Sequence, residues 1–100
     1  MNGKKVTVVA RFTAKTGMEE EMKKELLKLI APSRSDDGCV NYDLHQGIEN
    51  PAVFIFHENW QTREHLSRHS VMPHLQAFRA KVKDMLAEAP EVTLLEMISE

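Results

Sequence analysis

The side chains able to move protons in this 100-residue chain crowd into one stretch, from Glu58 to His74. Glu58 lies two residues from both Phe56 and Trp60, and side chains two apart on a strand point the same way, so a carboxylate stands in an aromatic row. Such a group needs a partner. It is either a buried salt bridge or hydrogen bond to a helix end, or a catalytic acid or base. Trp60, at the end of that row, is either core or one wall of a cavity. Three of the chain's five histidines, His65, His69 and His74, fall within ten positions. An imidazole titrates near pH 6.5, which makes a histidine in an apolar cleft a usable general base. His69 and His74 are open to that role and equally to capping a helix or bonding backbone in the core. His65 and His69 are four apart, a spacing some metal sites use, but zinc needs a third protein ligand and the neighbouring sequence offers no obvious Asp or Cys, so no metal is expected. His45 and His57 read as structural or exposed.

Other chemistries are excluded by what is missing. The glycines at 3, 17, 38 and 47 make neither a dinucleotide fingerprint nor a phosphate-binding loop, and no serine sits in a nucleophile elbow. Thirteen basic residues against fifteen acidic ones give a net charge of −2, which provides no positive field for nucleic acid. The single cysteine, Cys39, forms no internal disulfide and reads as a small apolar side chain suited to a reducing compartment. The longest apolar run, Ala52 to Phe56, is far short of a membrane span. Lys4 and Lys5 lead directly into a strand pattern without a signal peptide's apolar stretch, so the expected location is the cytoplasm.

The elements that would position these groups follow from periodicity. Val6, Val8, Ala10 and Phe12 alternate with Thr7, Val9 and Arg11 as a first strand over 5–12. Met18, Met22, Leu26, Leu29 and Ile30 recur at helical spacing above a charged face, and Pro32 is expected to end that helix. Cys39 to His45 is a second strand with Val40, Tyr42 and Leu44 on one face. Val53 to Trp60 is a third, joined to the second by a turn at Gly47, Asn50 and Pro51. Thr62 is placed to cap a short helix, Pro73 to start another whose stripe is Leu75, Phe78, Val82, Met85 and Leu86. Pro90 closes it, and 92–98 is a fourth strand. Strand, helix, strand, strand, helix, strand is the order of a single ferredoxin-like α+β domain over 1–100, a four-stranded antiparallel sheet with helices on one face.

Those helices cover one face only. The other carries Val9, Val53, Ile55, Leu95 and Met97, so it reads as apolar too. Leaving such side chains wet forgoes roughly 1.5–3 kcal/mol each, and the expected remedy is a twofold homodimer packed sheet to sheet.

The segment Glu58-Asn59-Trp60-Gln61-Thr62-Arg63-Glu64-His65-Leu66-Ser67-Arg68-His69, with Met72-Pro73-His74-Leu75, resembles the antibiotic biosynthesis monooxygenase family. Ser33-Arg34 and Gly38-Cys39-Val40-Asn41-Tyr42 extend the likeness to nearly the whole chain, closest to the small bacterial quinol monooxygenases of that family. The resemblance implies a dimeric α/β barrel of ferredoxin-like subunits. It also implies oxygenation of an electron-rich aromatic, a quinol or phenol, by dioxygen without metal, flavin or other cofactor. On that pattern His69 is the base or substrate partner, Trp60 a cavity wall, Glu58 and His74 the groups that orient it, and Asn41 and Tyr42 hold substrate or an oxygen-derived anion. The alternatives are a non-catalytic ligand-binding or stress-response dimer, or a haem-degrading or signalling-sugar-processing relative. Haem degraders carry an asparagine on the first strand, which this chain lacks, and a sugar phosphate would call on Arg11 or Arg34.

Overall fold

The computed structural model describes residues 5–99. Alternation at the start of the chain becomes β1 (Val6–Thr13), in which Val6, Val8, Ala10 and Phe12 turn inward. The first helical pattern divides in two, α1 (Glu19–Lys28) and α2 (Ile30–Arg34), with Leu29 between them. Pro32 therefore does not end the helix as expected. It occupies the first turn of α2, where a backbone N–H has no helical acceptor to lose. β2 (Cys39–Gln46) and β3 (Val53–Trp60) form the hairpin. α3 (Arg63–Ser70) begins at Thr62, whose hydroxyl accepts from the His65 N–H, and α4 (Pro73–Val82) has Pro73 in its first turn. A 3₁₀ turn over Lys83–Met85 leads on to β4 (Glu91–Leu95), shorter than the expected 92–98.

The strands lie in the order β2-β3-β1-β4, every neighbouring pair antiparallel. This is the ferredoxin-like α+β arrangement. Register places Val8 opposite Glu58, Ala10 opposite Phe56 and Phe12 opposite Phe54, so the inward side of the two central strands is continuous. Phe12 meets Phe56 and Phe78 edge to face at 6.1 and 5.5 Å between ring centres, which ties the sheet to α4.

Two expectations about the strands are corrected. Between Cys39 and Asn41 the register of β2 slips by one residue, a bulge that leaves Val40 unpaired. Val40 is exposed while Tyr42 and Leu44 keep the inward side. The outward face of the sheet is also less apolar than its valines suggest. Val9, Val53, Ile55 and Leu95 share it with Thr7, Arg11, Asn41, Asp43, His57 and Asn59. Asn59 donates to Asn41 at 2.8 Å and accepts from Thr7, Asn41 donates to Asp43 at 3.0 Å, and Arg11 pairs with Glu91 at 2.9 Å. Met97 and Ile98 follow β4 outside any strand and are largely exposed.

Candidate active site

The loop between α2 and β2 meets the ends of α3 and α4 at one side of the helix layer. Gly38 makes this approach possible: its φ is +83°, and a Cβ there would run into the ring of His65. The Gly38 carbonyl accepts from the Gln61 N–H at 2.8 Å, which fastens the loop to the start of α3. Asp36, in the same loop, thereby reaches two imidazoles. Its Oδ2 lies 2.7 Å from His69 Nδ1 and 2.9 Å from His74 Nε2. The Asp36 and His69 side chains are 8% and 4% exposed, so this is a buried carboxylate spanning two histidines.

An ionised carboxylate only accepts, so each imidazole presents an N–H to it. With Nδ1 of His69 protonated, Nε2 is left with a bare lone pair. Burial holds the His69 pKa below its ordinary value, while the bond to Asp36 pulls the other way, so the ring is neutral at neutral pH. Its plane lies over Trp60, with centres 4.4 Å apart and 34° between planes, and meets Tyr42 edge-on at 5.4 Å.

A cavity of about 330 Å³ opens beside this imidazole between the sheet and the helices, lined mostly by apolar side chains such as Val8, Phe56, Leu66, Leu75 and Phe78. Glu58, His69, Tyr42 and Arg79 are among its polar members. Glu58 is 5% exposed, and burial pushes its carboxyl up to about 7 despite the hydrogen bond it accepts from Trp60 Nε1 at 2.8 Å. The carboxyl thus keeps its proton to well above the ordinary carboxylate range. Burial also raises Tyr42, which remains a phenol.

The site residues read from sequence separate into three positions. His69, Glu58 and Tyr42 line the cavity. Trp60, fully buried, lies behind His69 and Glu58 instead of forming the wall itself. His74 shares Asp36 with His69, meets its ring at 6.0 Å between centres, and lines a separate surface cleft with Lys28, Ala77 and Lys81. Asn41 is on the outward face, bonded to Asn59, Asp43 and the His57 carbonyl, and does not line the cavity. Arg11 and Arg34 are likewise directed elsewhere, toward Glu91 and Asp43. His65 and His69 do not share a ligand set, because His65 turns to Thr62 and Asp37. Sequence reasoning missed Asp36 and Arg79. Asp36 is 33 residues from His69, and the only local hint was an acidic pair ahead of a glycine in a loop.

An antiparallel α+β sandwich with a half-open apolar cavity and one buried imidazole at its wall is the frame of a small-molecule enzyme or binder. Residues 5–81 match the model of the antibiotic biosynthesis monooxygenase family, and the chain belongs to that family. It is 32% identical over 95 residues to Rv0793 of Mycobacterium tuberculosis, named as a candidate monooxygenase, covering 95% of this chain and 93% of that protein. YcnE of Bacillus subtilis, also named as a candidate monooxygenase, is 27% identical, with 92% and 97% covered. The solved structure of Rv0793 superposes with a TM-score of 0.90 over 96% of this chain and 97% of that one at 30% identity. That of PA3566 from Pseudomonas aeruginosa gives 0.92, with 99% of each chain covered and 30% identity. The chain is accordingly a candidate monooxygenase. Among the described residues no helix is long and apolar enough to cross a membrane.

Proposed function

We propose that the protein inserts one oxygen atom of dioxygen into an electron-rich aromatic, a quinol or phenol, with its own side chains and no cofactor. The observation that carries this reading is a buried His69 that lines an apolar cavity and whose Nδ1 bonds Asp36, an arrangement that leaves Nε2 to accept a proton. An apolar cavity of ~150 Å³ accepts benzene, so 330 Å³ suits two fused rings. His69 Nε2 takes a proton from a ring hydroxyl, and Asp36 stabilises the imidazolium that results. The quinolate is then electron-rich enough to pass one electron to dioxygen, and the semiquinone and superoxide combine to form a carbon–oxygen bond. Cleavage of the O–O bond leaves one oxygen on the ring and releases the other as water. For a hydroquinone the sum is quinol plus dioxygen to hydroxyquinone plus water, so the substrate itself supplies every electron. Glu58, whose carboxyl burial raises to about 7, receives or returns the second hydroxyl proton. The dry walls keep the radical pair from bulk water.

The reading includes a homodimer. Its support is the half-buried cluster of Val9, Val53 and Ile55 on the outward face, together with the exposed Leu95, Met97 and Ile98. Cytoplasmic location accords with a free thiol, Cys39, whose pKa burial raises to about 11. Oxygen uptake by chelator-treated protein with one- and two-ring quinols tests the activity, with ¹⁸O₂ expected to label the product ring once. His69→Ala should slow turnover by about 100-fold or more. Equal rates for both proteins remove the base from the mechanism, and quinol loss without label in the product removes the oxygenase.

A further inference from the structure

The third ligand that the sequence around His65 and His69 does not offer is supplied by the fold. Asp36, His69 and His74 come from the α2–β2 loop, the last turn of α3 and the first turn of α4. Their carboxylate oxygen and two imidazole nitrogens all lie within 4.8 Å of one another. Two of the three side chains are more than nine-tenths buried, and His74, 20% exposed, opens the cluster to solvent.

We infer that these three side chains form a binding site for a divalent transition-metal ion of the zinc type. Zinc holds histidine nitrogen and carboxylate oxygen at about 2.0–2.2 Å, so tetrahedral ligand atoms stand about 3.4 Å apart. The contacts of 2.7 and 2.9 Å to Asp36 Oδ2 must widen by roughly 0.5–0.7 Å to admit the ion. Turning the partly exposed His74 ring supplies the smaller movement, and a rotation of the Asp36 carboxylate must supply the larger one at His69. Two imidazoles and one carboxylate suit zinc, cobalt or nickel, whereas magnesium and calcium take oxygen ligands. With three protein ligands one coordination position stays open, so the ion exchanges with solvent.

Loading the site changes the cavity. An imidazole nitrogen that binds a metal carries no proton, so the His69 proton leaves Nδ1 for Nε2, and the number of protons on the ring is unchanged. Nε2, the nitrogen left off the ion, turns from acceptor to donor. Metal at this site and proton acceptance at Nε2 exclude each other.

The binding claim stands apart from the oxygenase reading and is tested without turnover. Chelator-stripped full-length protein is titrated with Co²⁺ and Zn²⁺ by absorption spectroscopy and calorimetry. One ion per chain is expected, with visible cobalt bands of four-coordinate intensity that zinc abolishes. Asp36→Asn and His74→Ala should each weaken binding by about tenfold or more. Circular dichroism checks that both variants fold. Should Asp36→Asn unfold, His74→Ala at the partly exposed position carries the test alone. No saturable binding up to about 100 μM zinc, or equal affinity in wild type and His74→Ala, overturns the proposal.

Discussion

Glu58 makes folding stability fall as pH rises through a defined window. In the unfolded chain its carboxyl ionises at the ordinary value of 4.5, whereas in the fold burial holds it to about 7. Between those limits the folded state keeps a proton that the unfolded state has released, so the unfolding free energy decreases with pH. At about 1.4 kcal/mol per pH unit the interval from 4.5 to 7 amounts to about 3 kcal/mol, present in full below pH 4.5 and lost once the folded carboxyl ionises. His69 acts in the opposite sense. Its pKa is lowered in the fold, so its contribution grows as pH rises toward the imidazole's ordinary 6.5. Comparison with Glu58→Gln isolates the carboxylate, because glutamine still accepts the Trp60 indole N–H and cannot titrate. Urea unfolding of both proteins from pH 5 to 8 should show the variant gaining on wild type by up to about 3 kcal/mol as pH rises. Parallel curves across that range would refute the claim that the carboxyl is buried without a compensating charge.

Three other perturbations separate the parts of the fold. Thr62→Ala removes the hydroxyl that accepts from His65 N–H at 3.1 Å, and a lost N-cap of this kind costs about 1 kcal/mol, read as a fall in Tm of about 4–8 °C. Gly38→Ala combines a φ of +83° with a collision against His65, so chemical denaturation should show a loss of about 1–3 kcal/mol, with weaker ligand binding as the Asp36 loop moves away. Val9→Lys places a charge at the centre of the outward face, and if the proposed dimer forms there, sedimentation velocity should find wild type as dimers and the variant as monomers.

Periodicity made most of the scaffold legible. The strands around Val8 and Phe56, the cap at Thr62 and the proline start of α4 all express local rules, each satisfied within a few residues. The departures arise where distant parts of the chain decide. Val40 alternates properly with Tyr42 in sequence, but a bulge is a property of two paired strands and leaves no mark on one of them. Pro32 looks like a terminator until the helix restarts at Ile30 and makes it a first-turn residue. The valines of the outward face suggest an apolar surface, although Asn41, Asn59 and Thr7 connect across three strands into a polar ladder. Glu58, Tyr42 and His69 reach the cavity because strand and helix periodicity point them inward. Asp36 became visible only when the loop after α2 folded against the α3–α4 junction, since no spacing rule links it to His69.

Trp60 is the chain's one tryptophan, and its indole is bonded to Glu58 and stacked on His69. The protein therefore carries an intrinsic fluorophore wired to both proton-exchanging groups. Emission intensity will report their charge states, and occupancy of the adjoining chamber, in real time and without any label.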